Sequence, residues 1–163
     1  MTDTAARHPS TYVPSPIINA LIRDRDRPIV EMAGGKAWTG GEMLAATSRL
    51  TQALQARGVV NGARVALLAG NSVEVLLLHN AIAFAGGCLV AMHPMGSADD
   101  HLFAIEDAGV EVLLYDPAKF SKRAGELRAR TNRLKTVLSL GAGDVGDDLL
   151  ALADSFDLAP LTA

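Results

Sequence analysis

The segment spanning residues 57–74 constrains the fold of this chain more than any other part of its 163 residues. Gly58 lies where a helix beginning near Gly41 needs a residue that tolerates positive φ, and Asn61-Gly62 is a strong turn dipeptide. The apolar run from Val65 to Ala69 is typical of a short strand that is buried on both faces. A helix end followed at once by a turn and a doubly buried strand predicts an α/β protein.

Asn71 and Glu74 predict where the following helix begins. Their spacing forms a capping box, and the helix is expected to extend to Gly86. We consider two roles for Asn71: capping alone, or orienting a loop at the carboxyl edge of the sheet, which makes it a candidate substrate-pocket residue. Because this helix is apolar nearly all round, as in a helix packed between layers, we expect His79 to be a hydrogen-bonded core or interface histidine.

The part of the chain before this segment predicts a hairpin flanked by two helices. Thr39 followed three residues later by Glu42 is a capping box, which marks the start of the second helix. The predicted parts are a mobile N-terminal arm (1–16), a short helix (17–23), a β-hairpin (28–32 and 36–39) and a longer helix (41–58).

From Arg64 onward, strand and helix patterns alternate. This alternation predicts a layered α/β fold with a mostly parallel sheet, flanking helices and right-handed crossovers. The later predicted strands are 88–92, 110–115 and 136–140, and the later helices are 97–109 and 117–130. We therefore divide the chain into the arm (1–16), an α/β subdomain (17–140), and a Gly/Asp-rich loop with a short helix and linker (141–163).

Composition excludes several classes of function. Aromatic residues make up 4% of the chain and its net charge is −3, so we expect no nucleic-acid partner. The single cysteine, Cys88, lies in an apolar run; we expect it to be a small buried side chain, and its lack of a disulfide partner fits a cytoplasmic protein. We expect no signal peptide and no transmembrane segment, because the most apolar stretch, Val73 to Phe84, is interrupted by polar residues.

A glycine-rich stretch offers one possible nucleotide site. Gly141, Gly143 and Gly146 match the dinucleotide fingerprint and follow a predicted strand. However, the nearby carboxylates of Asp144 and Asp147 would repel phosphate, and no later strand is predicted, so a flexible acidic loop is the favoured interpretation. A stand-alone nucleotide- or dinucleotide-binding module remains the alternative.

His93 is the second candidate substrate-pocket residue. With Pro94 it is expected to close a strand at the carboxyl edge of the sheet, where α/β proteins bind ligands. The spacing between His93 and His101 does not favour a shared metal ion, so no metal ligand is predicted. Asp116 before Pro117 is expected to be a turn residue. No triad-like pattern is present, so no catalytic residue is predicted.

Several segments occur in the same order in the N-terminal region of the adenylate-forming acyl- and aryl-CoA synthetases, which this chain resembles from Pro28 to Leu140. The segments that carry the resemblance are Gly58-Val59, Gly62 to Ala66, Asn71 to Glu74, Ala85 to Pro94, Asp99 to His101, Glu106 to Ala108 and Leu113 to Asp116. The resemblance implies that the chain is part of the large N-terminal domain of the acyl-CoA synthetase-like fold.

The resemblance also implies an activity. Enzymes of this family adenylate a carboxylic acid with ATP and Mg²⁺, and then transfer the acyl group to coenzyme A. The family's Ser/Thr/Gly-rich phosphate loop, its adenylate-binding segments and its C-terminal lysine have no counterpart in this sequence. We therefore expect an N-terminal portion of a fatty-acyl-CoA ligase that is inactive by itself and holds no cofactor.

One departure from the family pattern leaves the acyl substrate open, because many relatives have Asn-Pro-Arg where this chain has His93-Pro94-Met95.

A non-catalytic α/β interaction domain is a further alternative for the function of this chain. The apolar stretches between Val73 and Ala91 predict exposed apolar surface and hence self-association.

Overall fold

The computed structural model of the chain describes residues 14–33 and 35–161. The helices are α1 (Pro14–Arg23), α2 (Gly40–Ala56), α3 (Val73–Phe84), α4 (Ala98–Ala108), α5 (Pro117–Arg130) and α6 (Leu149–Asp154). The strands are β1 (Pro28–Glu31), β2 (Ala37–Thr39), β3 (Arg64–Leu68), β4 (Cys88–Ala91), β5 (Val112–Tyr115), β6 (Thr136–Ser139) and β7 (Asp147–Asp148). Helix α1 begins inside the predicted arm, and the rest of that arm lies outside the described residues.

The strands form two separate sheets. β1 and β2 make the predicted antiparallel hairpin. The other five strands lie in the order β4-β3-β5-β6-β7, and every neighbouring pair is parallel. This arrangement confirms the predicted α/β fold with a parallel sheet, and it makes β4 and β7 the edge strands.

Helices cover both faces of the five-stranded sheet. Val65 and Leu67 of β3 belong to a core shared with α2, α3 and α6. Ala66 and Leu68, which point to the opposite face, belong to a second core shared with α4 and α5. All four of these side chains are at most 4% exposed, which confirms a strand buried on both faces.

Helix α2 begins and ends as its local sequence predicts. The Thr39 amide donates to Oε2 of Glu42 over 2.9 Å, and the Glu42 amide donates to the Thr39 hydroxyl over 3.2 Å. After its last turn, Gly58 adopts a φ of 89°. The Lys36 ammonium and the Thr39 amide hold the pKa of the Glu42 carboxyl below its usual value.

Two expectations about buried or capping side chains are wrong, and a third is wrong in part. The N-cap of α3 is Ser72, whose hydroxyl accepts from the Val75 amide over 3.3 Å, so Asn71 lies one residue before the cap and two before the helix. His79 is exposed in this chain, so it is not a core histidine, and the interface alternative stays a prediction. Cys88 is also exposed, because β4 is an edge strand with a neighbour on one side only.

The segment after β6 contains a strand that its sequence did not predict. Asp147–Asp148 pairs with β6 through Leu138 and Ser139, so the short helix begins at Leu149. Two aspartates give no strand signal of their own, and the pairing depends on a neighbour that is already in place.

The segment from Asp157 to Leu161 lies along α2. The Ser48 hydroxyl donates to the Ala159 carbonyl over 2.6 Å and accepts from the Ala159 amide over 3.2 Å. Gln52 donates to the Asp157 carbonyl over 2.8 Å.

In the described part of the chain, none of the helices has the length and apolar character that crossing a bilayer requires.

Candidate functional site

A cleft of about 280 Å³ lies at the carboxyl ends of β3, β5 and β6, where α/β proteins bind ligands. We call it the carboxyl-edge cleft. It lies between the segments that follow these strands and the first turns of α3, α5 and α6. Its polar lining consists of Asn71, Ser72, Glu74, Asp116 and Lys119.

Asn71 is an exposed part of this lining. The side chain that caps α3 belongs to Ser72, so capping does not explain the presence of an asparagine at position 71. The second role considered for Asn71 is to orient the loop at this edge. That role stays a prediction, and the structure places Asn71 in the lining of the carboxyl-edge cleft.

Lys119 provides the positive charge in the cleft. Its Nζ lies so close to the backbone that a Cβ at Gly70 would be 3.1 Å from it. The lining also contains two carboxylates, those of Glu74 and Asp116, and the Asp116 carboxylate accepts from the Ala118 amide over 3.0 Å. With one lysine against two carboxylates, the cleft does not attract a phosphate group.

The helix N-termini at this edge do not offer a phosphate cradle either, since their own residues cap them. Ser72 caps α3, Ser97 caps α4, Asp116 caps α5 and Asp148 caps α6. Each cap accepts from an amide that a bound phosphate would otherwise use.

Within residues 14–33 and 35–161, no three His, Cys, Asp or Glu side chains are grouped to hold a metal ion. The described residues therefore do not by themselves fit ATP and Mg²⁺.

His93 lies on the turn that follows β4 and does not line the carboxyl-edge cleft. Its side chain is exposed, and its Nδ1 accepts from the Met95 amide over 3.1 Å. Its carbonyl accepts from the Gly96 amide over 2.9 Å. The structure therefore does not bring His93 and Asn71 into one cleft, and the pocket role of His93 stays a prediction.

His101 and Arg123 form a polar contact that sequence reasoning missed. Nη1 of Arg123 lies 2.9 Å from Nδ1 of His101, whose ring is buried between α4 and α5. No local pattern joins these two residues, because they are 22 positions apart on different helices. Beside them, the hydroxyl and amide of Ser97 donate to Asp100 and hold the pKa of its carboxyl below its usual value.

Packing contacts and backbone conformation account for the glycines of the loop from Gly141 to Gly146. The Tyr115 hydroxyl donates to the Val145 carbonyl over 2.8 Å and accepts from the Val145 amide over 3.2 Å. A Cβ at Gly143 would lie 2.8 Å from that hydroxyl, so the glycine allows close approach to the sheet. At the helix that follows, Asp148 occupies the amides of Leu150 and Ala151, where a pyrophosphate would bind.

This chain is similar to known proteins along most of its length. A family model described as "AMP-binding enzyme" matches residues 19–159. The medium/long-chain-fatty-acid–CoA ligase FadD8 of Mycobacterium tuberculosis is 33% identical over 153 residues, which are 90% of this chain and 27% of that protein.

Among solved structures, a mutant of the amide bond synthetase McbA from Marinactinospora thermotolerans superposes with a TM-score of 0.78 and 27% identity, over 91% of this chain and 29% of that one. ATP-bound MatB from Rhodopseudomonas palustris gives a TM-score of 0.73 and 27% identity, over 90% and 29%. The chain thus spans between a quarter and a third of the length of these relatives. Because the family model covers nearly all of the described α/β unit, the chain belongs to the AMP-binding enzyme family.

Proposed function

We propose that this chain is the N-terminal part of an ATP-dependent acyl-CoA synthetase of the fatty-acid–CoA ligase type. The observation that carries the proposal is the 33% identity to FadD8 over 90% of the chain. The complete enzyme would join a carboxylic acid to ATP, release pyrophosphate, and pass the acyl group to the thiol of coenzyme A. Mg²⁺ would accompany ATP, and the enzyme would work in the cytoplasm.

In this proposal the described residues are scaffold. They form a parallel sheet that is covered by helices on both faces, and they form the carboxyl-edge cleft. The chemistry of adenylation needs several donors around the reacting phosphate, and the loss of one such donor can already cost about 10²–10³ in rate. Since the capped helix ends and the mixed charges of the cleft do not supply such donors, the 163-residue chain alone would not adenylate a substrate.

The test is ATP-dependent pyrophosphate release with medium- and long-chain fatty acids. We would compare the 163-residue chain with the product of any longer reading frame that contains it. We expect release, followed by acyl-CoA formation, from the longer protein only. Pyrophosphate release by the 163-residue chain would overturn its scaffold role. A longer product that folds, but forms neither pyrophosphate nor a thioester with any carboxylic acid, would overturn the ligase assignment.

A further inference from the structure

A buried histidine lies beneath the turn that joins β4 to α4, residues 92–97, which we call the β4–α4 turn. The His101 side chain is on α4, and the residue is only 3% exposed. Its Nε2 lies 2.8 Å from the His93 carbonyl oxygen, and its Nδ1 lies 2.9 Å from Nη1 of Arg123 on α5. Both ring nitrogens therefore have a partner, one in the turn and one on the neighbouring helix.

The identity of the Nδ1 partner determines the tautomer. A guanidinium is always protonated and can only donate, so Nδ1 of His101 must be the acceptor. The ring proton is then on Nε2, which donates to the His93 carbonyl. The arrangement as a whole is satisfied only by a neutral imidazole.

Arg123 extends this contact to the other end of the turn. The same Nη1 donates to the Gly96 carbonyl over 3.0 Å. A Cβ at Gly96 would lie 2.6 Å from Nε2 of His101, which shows how closely the turn and the ring approach each other. His101 and Arg123 thus hold the His93 carbonyl at one end of the turn and the Gly96 carbonyl at the other.

The charges around His101 come from three elements. Arg123 on α5 faces Nδ1, and Glu126, also on α5, lies 3.6 Å from Nε of Arg123. Asp100 on α4 is engaged by Ser97, and His93 belongs to the turn itself. A proton added to Nδ1 would point at a guanidinium, so protonation would remove one hydrogen bond and place two cations in contact.

We propose that His101 and Arg123 form an acid-labile lock that holds the β4–α4 turn in place at the carboxyl edge of the sheet. Neutral His101 keeps the turn closed against α4 and α5. A proton on Nδ1 ends the hydrogen bond from Arg123 and places two cations in contact, and so releases the turn. Both are positioning residues, and the lock is independent of the proposed ligase function.

The first test measures the tautomer of His101 by two-bond ¹H–¹⁵N correlation spectra of the histidine-labelled chain at alkaline pH. We expect a proton on Nε2 and none on Nδ1. In Arg123→Met, which removes the donor, we expect a mixture of tautomers. A wild-type ring protonated on Nδ1 would overturn the proposal without requiring any variant to fold.

The second test follows hydrogen exchange at the Gly96 amide, corrected for intrinsic rates, as the pH falls. In the wild type we expect protection to fall about tenfold, the change produced by losing roughly one net hydrogen bond. His101→Gln keeps one donor and one acceptor but cannot titrate, so its protection should change much less. His79→Gln, at an exposed position on α3, is the matched control and should behave as the wild type.

A second variant separates the two histidines near the turn. His93 is the other histidine at the turn, and its Nδ1 accepts from the Met95 amide. His93→Asn keeps an acceptor and should retain most of the pH response if the lock lies at His101. Loss of the response in His93→Asn, with its persistence in His101→Gln, would overturn the assignment.

Discussion

Gly141 and Gly146 both adopt left-handed backbone conformations, with φ of 104° and 79°, but their surroundings differ. A Cβ at Gly146 would overlap the backbone carbonyl of Val137 on β6, whereas a Cβ at Gly141 would meet nothing within 4 Å. A backbone carbonyl within a sheet cannot move away as a flexible side chain can. At the scale of single residues, Gly146 is therefore required by both conformation and space, and Gly141 by conformation alone.

We predict that Gly146→Ala lowers the free energy of unfolding by about 3 kcal/mol or more, because backbone strain adds to steric overlap. Gly141→Ala carries only the strain of positive φ and should cost about 1 kcal/mol. Urea denaturation of the two variants and the wild type measures both values. Equal costs would show that the loop can move away from β6.

At the start of α3, only one of two adjacent capping candidates caps the helix. Asn71 and Ser72 are both good capping residues, so the local sequence contains two adjacent candidates. The structure uses Ser72, whose φ of −153° is extended and whose hydroxyl accepts from the amide of Val75. This choice leaves the side chain of Asn71 in the carboxyl-edge cleft.

Ser72→Ala is therefore predicted to destabilise the protein by about 1 kcal/mol, since an α3 amide loses its partner. Asn71→Ala, one position earlier, should change stability by no more than about 0.5 kcal/mol, as for other exposed substitutions. Chemical denaturation compares the two. A larger loss in Asn71→Ala than in Ser72→Ala would restore Asn71 as the cap.

At the scale of the whole molecule, β4 is an exposed edge of the sheet, and the turn and helix that follow it carry exposed apolar side chains. Among the described residues β4 has a strand neighbour on one side only, and its first and last residues, Cys88 and Ala91, are exposed. Met95 in the following turn is 86% exposed and Phe103 on α4 is 70% exposed. Unpaired strand edges and exposed apolar side chains favour association with another chain.

We propose that copies of this chain associate through this side, so that Phe103→Asp shifts the protein toward the monomer. Sedimentation velocity over a range of concentrations measures the shift. Leu158→Asp is the matched control, because Leu158 is 59% exposed but lies on the segment that follows α6. A wild-type protein that stays monomeric at every concentration, or an equal effect of both variants, would contradict the proposal.

The order and type of the main elements could be predicted because their signals are local. The capping box of α2 involves Thr39 and Glu42, three residues apart, and the apolar run that forms β3 is continuous in sequence. The same holds for α4, predicted over residues 97–109, which is capped by Ser97 and ends before Gly109 with its φ of 65°. Such signals act within a few residues of each other and do not depend on the rest of the fold.

By itself, the sequence determined the α/β class, the hairpin, the parallel sheet and the family resemblance, since each rests on short-range patterns. Only the tertiary structure decided that β4 is an edge strand with Cys88 exposed, that Asp147–Asp148 pairs with β6, and that Arg123 meets His101. The physical reason is that strand order and the burial of a side chain depend on contacts between residues far apart in the chain.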